Sequence, residues 1–159
     1  MGVSGPGKST TARLLAGRLG WPMIEGDDLH PPTNVEAMRA GRALTDADRE
    51  PWLRAIRDAM TAAGGPTVVT CSSLRRAYRD ILRTAQGRVR FVHLVVPAEE
   101  LQRRLVARTG HFMPATLLAS QLATLEPLGA DEDGVDVPVA GLPEAIADDA
   151  LRLLAAAPD

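Results

Sequence analysis

Short apolar runs alternate along this chain with longer segments in which apolar residues recur at helical spacing. The apolar runs predict strands at 22–25, 67–71, 89–96 and 134–139. The helical spacing, with its glycine and proline boundaries, predicts helices at 9–19, 34–40, 48–62, 74–85, 98–108, 115–125 and 143–156. Because strands that alternate with helices over short loops build parallel sheets covered by helices, the pattern predicts an α/β fold with a doubly wound parallel sheet.

The length and the net charge of the chain limit the classes of protein to which it can belong. A chain of 159 residues without repeats or linkers is expected to form one domain, residues 1–159. The net charge of −2 argues against a nucleic-acid partner, because duplex binding depends on basic residues that neutralise phosphates. No apolar run reaches the ~20 residues of a membrane span, and no signal-peptide pattern opens the chain. A single cysteine, Cys71, cannot form an internal disulfide, which fits the cytoplasm.

The opening segment, 2–9, matches the phosphate-loop pattern G-x-x-x-x-G-K-[ST]. Glycines let successive N–H groups turn toward an anion, and the helix that follows adds its positive end. Lys8 is the only lysine of the chain, and it would reach the β- and γ-phosphates of ATP while the Ser9 hydroxyl binds Mg²⁺. A glycine-rich turn with a chance lysine is the structural alternative. The residues predicted here to bind ATP are Gly2, Ser4, Gly5, Gly7, Lys8, Ser9 and Thr10.

A strand is expected directly before this loop, and here Met1 stands directly before Gly2. That strand would be central in the sheet, so we expect the sequence as given to lack its first strand and to leave open strand edges. Pro6 also departs from the simplest loop, because it has no N–H to donate to a phosphate while it stiffens the chain.

The segment 25–31 follows the second expected strand, at the carboxyl end where α/β folds bind ligands. A carboxylate in this segment, which contains Glu25, Asp27 and Asp28, is placed to orient an acceptor hydroxyl and take its proton, as the catalytic aspartate of other kinases does. A turn and helix cap is the alternative, and the residues alone leave both open.

Further along the chain, Thr45 and Asp48 predict a capping box at the start of a helix. The capping box does not use Arg49, whose guanidinium is therefore available to bind a carboxylate.

Three arginines, Arg75, Arg79 and Arg83, form one stripe of the helix after the third strand. Such a stripe is usually a solvated face, and this is the interpretation for Arg83. Arg75, nearest to the strand end, is the one placed to contact an anionic ligand. The third strand ends without an aspartate, which argues against motor-type and Ras-like NTPases and leaves kinases of small metabolites.

A second basic cluster, Arg103, Arg104 and Arg108, precedes a Gly- and Pro-containing interruption at 109–114. An arginine-bearing segment between two helices is typical of a lid that closes over ATP and excludes water, here roughly 104–125. His111 lies in the interruption, and we interpret it as a plain lid residue rather than a chemical one.

Together these stretches resemble the gluconokinase family over most of the chain. The segments that carry the resemblance are MGVSGPGKST, EGDDLHPPTNVEAM, GRALTDADREPWL, CSSLRRAYRDILR and RTGHFMPATLLASQLATLE. The resemblance implies a P-loop NTPase fold similar to shikimate kinase, with a parallel sheet and a mobile lid. It also implies ATP-dependent, Mg²⁺-dependent phosphorylation of D-gluconate to 6-phosphogluconate in the cytoplasm, and it suggests a homodimer.

The resemblance assigns roles residue by residue. Lys8 and Ser9 correspond to the phosphate and Mg²⁺ residues, and Asp27 corresponds to the catalytic base, whereas Asp28 sits at a variable position of that motif. The residues implied to bind the sugar acid are Asp27, His30, Arg49 and, as a weaker candidate for its carboxylate, Arg75. The lid residues are Arg104, near adenine, and Arg108, near the phosphates. A shikimate-type kinase and a degenerate, non-catalytic nucleotide-binding protein are the alternatives.

Overall fold

The computed structural model describes residues 1–5, 7–97, 100 and 115–157, with the backbone alone at 115–117. The helices are α1 Lys8–Leu19, α2 Pro32–Arg39, α3 Asp46–Ala62, α4 Arg76–Arg83, α5 Ala115–Thr124 and α6 Pro143–Ala156. The strands are β1 Met23–Glu25, β2 Val68–Thr70, β3 Phe91–Val95 and β4 Gly134–Pro138. One turn of 3₁₀ helix, Gly26–Leu29, follows β1.

The order of elements predicted from the hydrophobic pattern is confirmed in the described part of the chain. Every predicted strand contains an observed one, and α6 begins and ends where it was predicted. The predicted helix 98–108 lies outside the described residues except at position 100, as do Pro6, Arg103, Arg104, Arg108 and His111. None of the described helices combines the length and the apolar character that a membrane crossing requires.

Local signals explain where the helices begin and end. The helix α1 follows Gly7 and ends at Gly20, which adopts φ 68° and donates its N–H to the Ala16 carbonyl. The predicted capping box opens α3, because the Thr45 hydroxyl accepts the Asp48 N–H while the Asp48 carboxylate accepts the Thr45 N–H. This box starts the helix at Asp46, slightly earlier than the sequence pattern indicated.

The strands form two separate parallel pairs instead of one continuous doubly wound sheet. In the first pair Ile24 lies opposite Val69, and in the second Leu94 lies opposite Val137. No described strand pairs with both β2 and β3. The predicted α/β fold, with parallel strands flanked by helices, is confirmed.

Two hydrophobic clusters fill the interior. One packs α3 and α4 against β2 and includes Trp52, Leu53, Ile56, Leu74 and Tyr78. The other packs α1 and α6 against β3 and β4 and includes Leu15, Leu94, Val137, Ala147 and Ala150. The phosphate loop and the turn after β1 lie at the carboxyl ends of these strands, where open α/β sheets bind ligands.

The helix α4 corrects the interpretation of the arginine stripe. Arg83 is solvated and pairs with Asp80, as expected. Arg79 instead has a fully buried side chain, and its Nε and Nη2 atoms donate to the two carboxylate oxygens of Glu132 at 2.6 and 2.7 Å. Its remaining donors reach the carbonyls of residues 73, 126 and 127. The buried ion pair therefore ties α4 to the segment that leads into β4.

Candidate functional site

The phosphate loop is built on glycines in left-handed conformations. Gly2, Gly5 and Gly7 adopt φ values of 122°, 107° and 88°, which L side chains rarely tolerate. A Cβ atom on Gly2 would also lie 3.2 Å from the Leu94 carbonyl oxygen. The loop enters α1 directly at Lys8, so its N–H groups and the positive helix end lie together, as an anion site requires.

The side chain of Lys8 contacts the phosphate loop. Its Nζ atom donates to the Val3 carbonyl oxygen at 2.8 Å. Desolvation lowers the pKa of Lys8, and the Asp27 carboxylate opposes this shift. Ser9 follows half-buried in the first turn of α1, and Thr10 is exposed. The first turn of α1 therefore presents the Lys8 ammonium and the Ser9 hydroxyl, which are followed by the hydroxyls of Thr10 and Thr11.

The turn that carries Asp27 is fixed from two sides. The Gly26 N–H donates to the Thr70 hydroxyl at 3.1 Å, and the Trp52 indole N–H donates to the Gly26 carbonyl at 2.7 Å. A Cβ atom on Gly26 would collide with the Thr70 carbonyl oxygen, so glycine is needed there. Desolvation raises the pKa of Asp27, with Lys8 opposing. Asp27 is solvent-exposed, and a raised pKa suits a group that accepts a proton.

A cavity of about 210 Å³ lies beside Asp27, between the phosphate loop and α2 and α3. It brings together five of the residues predicted from the sequence, which are Ser4, Lys8, Asp27, His30 and Arg49. The cavity joins a phosphate-binding loop to a candidate base, as a transfer of a phosphoryl group to a small acceptor requires.

His30 is a neutral imidazole held in a fixed plane. Its ring stacks on Trp52 with the centroids 4.0 Å apart and 12° between the planes. Desolvation, with a contribution from Arg49, lowers the pKa of His30 to about 4. The Asn34 side-chain amide lies 3.4 Å from Nδ1, which favours an accepting Nδ1 and leaves the proton on Nε2. His30 is therefore suited to donate a hydrogen bond to a hydroxyl or carboxylate.

Arg49 is a buried cation at the wall of the cavity, only 9% exposed. Its Nη1 atom donates to the Tyr78 hydroxyl at 3.2 Å, and its guanidinium carbon lies 5.6 Å from the centroid of the Tyr78 ring. Within the described part of the chain it has no carboxylate at ion-pair distance. A buried guanidinium of this kind is suited to bind an anionic acceptor.

Arg75 lies away from the cavity. It precedes α4, is partly exposed, and its Nη1 atom donates to the Asp46 carboxylate at 2.6 Å. Asp46 also accepts a hydrogen bond from the Tyr78 hydroxyl, which contacts Arg49. Arg75 is thus connected to the cavity through these side chains and is not among its lining residues. Arg104 and Arg108 lie outside the described residues.

Sequence reasoning missed several residues of the site. Arg42, Trp52 and Gln121 line the cavity, and Gln121 comes from α5. The Ser4 N–H donates to the Gln121 side-chain oxygen at 2.7 Å across 117 positions of the chain. No local pattern marks this glutamine, because only the fold brings α5 to the phosphate loop.

We expect Gln121→Leu to loosen the phosphate loop, because the half-buried Ser4 N–H would lose its acceptor. The loss of one such hydrogen bond should lower the free energy of unfolding by about 1 kcal/mol and raise KM for ATP roughly fivefold. Urea unfolding and steady-state kinetics measure the two effects. Gln86→Leu is the control, because Gln86 is an exposed glutamine away from this cavity. Equal behaviour of the two variants would contradict the assignment.

No cluster of three or more metal-binding side chains occurs among the residues that the structure describes.

Comparison with known proteins identifies relatives over nearly the whole chain. A family model described as an AAA domain matches residues 1–128. The gluconokinase of Gluconobacter oxydans (strain 621H) is 50% identical over 155 residues, which cover 96% of this chain and 87% of that protein. A crystal structure of a gluconokinase from Sinorhizobium meliloti 1021 is 48% identical, with a TM-score of 0.89, and the match covers 98% of this chain and 89% of that one. Shikimate kinase from Aquifex aeolicus, 17% identical with a TM-score of 0.60 over 98% of this chain and 94% of that one, shares the fold.

Proposed function

The chain belongs to the gluconokinase family of P-loop kinases, and on this premise we propose that it transfers the γ-phosphoryl group of ATP to D-gluconate. The product is 6-phosphogluconate. The observation that carries the proposal is that Lys8 of the phosphate loop and Asp27 line the same cavity as His30 and Arg49. The residues proposed to bind ATP and those proposed to bind the acceptor thus line one cavity.

Transfer of a phosphoryl group asks the protein mainly for positioning and for stabilisation of charge. Lys8 and the N–H groups of the phosphate loop bind the phosphates of ATP. Asp27 orients the acceptor hydroxyl for in-line attack and takes its proton as the new P–O bond forms and the bond to ADP breaks. Its raised pKa supports this role, and its turn is anchored at Gly26.

The acceptor side of the cavity fits a polyhydroxy acid. Arg49 supplies a buried positive charge for a carboxylate, and neutral His30 supplies an N–H donor. The Trp52 indole stacks on the His30 ring and holds its orientation, and it carries no charge. The contribution of Arg75 to binding the carboxylate, and those of Arg104 and Arg108 to binding ATP, stay predictions.

Mg²⁺ is the proposed metal, bound by the Ser9 hydroxyl together with the phosphates of ATP. A single protein ligand such as the Ser9 hydroxyl, beside an anion-binding loop, fits an ion that keeps most of its water and phosphate ligands. When bound, the ion neutralises charge on the transferred group. Ser9 would orient it, and Lys8 would complete the neutralisation.

Coupled measurement of ADP release tests the function. Mg·ATP is supplied with D-gluconate, with shikimate or without an acceptor. Turnover that requires gluconate supports the proposal. Turnover with shikimate would assign a different acceptor, and ATP binding without acceptor-dependent ADP release would indicate a non-catalytic nucleotide-binding protein.

The pH dependence of the reaction should identify the base. Because the pKa of Asp27 is raised, we expect kcat/KM for gluconate to fall as the pH drops through a value above the ordinary ~3.9 of aspartate. His30, whose pKa is lowered to about 4, titrates in the same acidic range, so a variant without this imidazole is needed to separate the two groups. A pH profile of His30→Asn that keeps the limb, at lower activity, would agree. A limb that disappears with His30 would contradict the assignment.

Three further features are proposed from family membership. They are a homodimer, a cytoplasmic location and a single kinase domain over residues 1–159. Light scattering coupled to size exclusion tests the first, and limited proteolysis that leaves one core fragment tests the last.

A further inference from the structure

The buried cation Arg49 lies three positions from a carboxylate, Asp46, with which it forms no ion pair. Both residues belong to the first four positions of α3, and a spacing of three places them on the same side of the helix. Asp46 instead pairs with Arg75, whose Nη1 atom donates to its Oδ2 atom at 2.6 Å. Arg49 therefore keeps a positive charge that this carboxylate does not pair.

The Tyr78 hydroxyl lies between the two charged groups of α3 and contacts both. The Nη1 atom of Arg49 lies 3.2 Å from the hydroxyl oxygen, and the Oδ1 atom of Asp46 accepts the hydroxyl proton. A guanidinium can only donate and an ionised carboxylate can only accept, so the direction of both hydrogen bonds is fixed. Arg49 donates to Tyr78, and Tyr78 donates to Asp46.

The position of Tyr78 is fixed by the core around it. The residue is only 4% exposed and belongs to the hydrophobic cluster that includes Leu53 and Leu74. Burial raises the pKa of Tyr78, and the hydrogen bond to Asp46 raises it further, so the phenol is protonated at neutral pH. Its ring also lies 5.6 Å from the guanidinium carbon of Arg49, a distance at which an aromatic face attracts a cation.

The placement of a neutral hydroxyl beside Arg49 favours an acceptor that carries a carboxylate. Arg49 lines the cavity that contains Asp27, whereas Tyr78 does not. A direct ion pair with Asp46 would use the donors of Arg49 and cancel its charge at the cavity wall. The Tyr78 hydroxyl and ring instead lower the cost of burying the guanidinium and leave its charge for the acceptor.

We propose that Tyr78 is a positioning residue, which holds the Arg49 guanidinium in the orientation that binds the acceptor carboxylate. Asp46 holds the Tyr78 hydroxyl in turn, and Arg75 holds Asp46. This inference rests on the proposed transfer to a sugar acid and adds to it a residue outside the cavity. Because Tyr78 does not line the cavity, its effect should appear in acceptor binding and not in the transfer step.

The variant Tyr78→Phe tests the proposal, because it removes the hydroxyl and keeps the buried ring. Both KM and the calorimetric Kd for gluconate should rise about tenfold, since Arg49 loses a hydrogen bond that involves a charged group. We expect kcat and KM for ATP to stay within about twofold of the unmodified protein. Unchanged gluconate binding, or a fall in kcat as large as the rise in KM, would overturn the proposal.

A double-mutant cycle tests whether Tyr78 acts through Arg49. The measured quantity is kcat/KM for gluconate, which can be determined without reaching saturation. Arg49→Gln removes the charge, so adding Tyr78→Phe to it should lower kcat/KM no further. Additive losses would show that Tyr78 acts independently of Arg49, against the proposal.

The hydroxyl proton of Tyr78 gives a readout that needs no ligand, because Tyr78 is the only tyrosine of the chain. In proton NMR its resonance should lie downfield and exchange slowly with water. Asp46→Asn should move this resonance upfield, because an amide oxygen is a weaker acceptor than a carboxylate. Asp80→Asn is the matched control, since Asp80 is an exposed aspartate of α4 that pairs with Arg83. A resonance that Asp46→Asn leaves in place would overturn the proposal.

The experiments distinguish failure of this proposal from failure of the proposed function. Gluconate that binds to the unmodified protein without acceptor-dependent ADP release would contradict phosphoryl transfer, while calorimetry would still decide the role of Tyr78. Gluconate-dependent turnover together with equal affinities of the unmodified protein and Tyr78→Phe would overturn the role of Tyr78 alone.

Discussion

Replacing Asp27 with asparagine is expected to lower kcat for gluconate phosphorylation by about 10²-fold or more. Asparagine keeps the shape of the side chain and can still contact a hydroxyl, but it cannot accept a proton. The carboxylate is the acidic side chain in the cavity that Lys8 and His30 also line. Initial rates over a range of gluconate concentrations, at saturating Mg·ATP, measure the change.

The neighbouring residue provides a matched control. Asp28 lies in the same 3₁₀ turn and is exposed, as Asp27 is, but it is not among the residues that line the cavity. Asp28→Asn removes the same charge one position away, so it should leave kcat near that of the unmodified protein. If both variants lowered kcat equally, the effect would come from the change in local electrostatic potential or in the conformation of the turn, and not from the loss of a general base.

The relative effects of Asp27→Asn on kcat and KM distinguish a catalytic role of the carboxylate from a role in binding alone. A general base acts in the transition state, so Asp27→Asn should lower kcat and kcat/KM together. If the carboxylate only binds the hydroxyl of the ground state, KM for gluconate would rise while kcat stayed nearly constant. A near-normal kcat would therefore remove Asp27 from the catalytic role.

Much of the site could be predicted from the sequence because its parts are local. A phosphate loop needs glycines, a lysine and a helix start within a few positions, and Gly2 to Lys8 provide them in order. Asp27 and His30 lie in one turn after a strand, so their proximity also follows from the chain itself. The capping box of α3 fixes the start of the helix that carries Arg49.

The rest depends on contacts between residues far apart in the chain. Gln121 reaches Ser4 only after α5 has packed, and no spacing rule relates the two. Periodicity places Arg79 on a stripe with Arg83, but a buried arginine and an exposed one have the same spacing. What distinguishes them is a carboxylate, Glu132, contributed by a distant segment.

That ion pair leads to the largest effect on stability that we expect. Arg79→Leu should lower the free energy of unfolding by about 3–5 kcal/mol, because it leaves the Glu132 carboxylate buried without a partner. Arg83→Leu is the matched control on the same helix, since Arg83 is solvated and pairs with the exposed Asp80. Its change should stay within about 0.5 kcal/mol. Urea unfolding followed by circular dichroism measures both.

The pH dependence separates loss of the ion pair from loss of packing. Hydrogen bonds from Arg79 hold the pKa of Glu132 below its ordinary value, so the pair stabilises the protein above that value and this contribution is lost as the pH falls through the lowered pKa. In Arg79→Leu the unpaired carboxyl group should have a raised pKa, and stability should then increase as the pH falls. A pH dependence unchanged from that of the unmodified protein would contradict this explanation.

The double variant Arg79→Leu, Glu132→Leu completes the experiment. Removing both charges leaves no buried carboxylate, and apolar side chains can replace a buried ion pair with little net loss. We therefore expect the double variant to be more stable than Arg79→Leu alone, although the carbonyls of residues 73, 126 and 127 lose the donors that Arg79 supplied. Additive losses in the double variant would show that Arg79 acts through those carbonyls, and that the carboxylate of Glu132 contributes little.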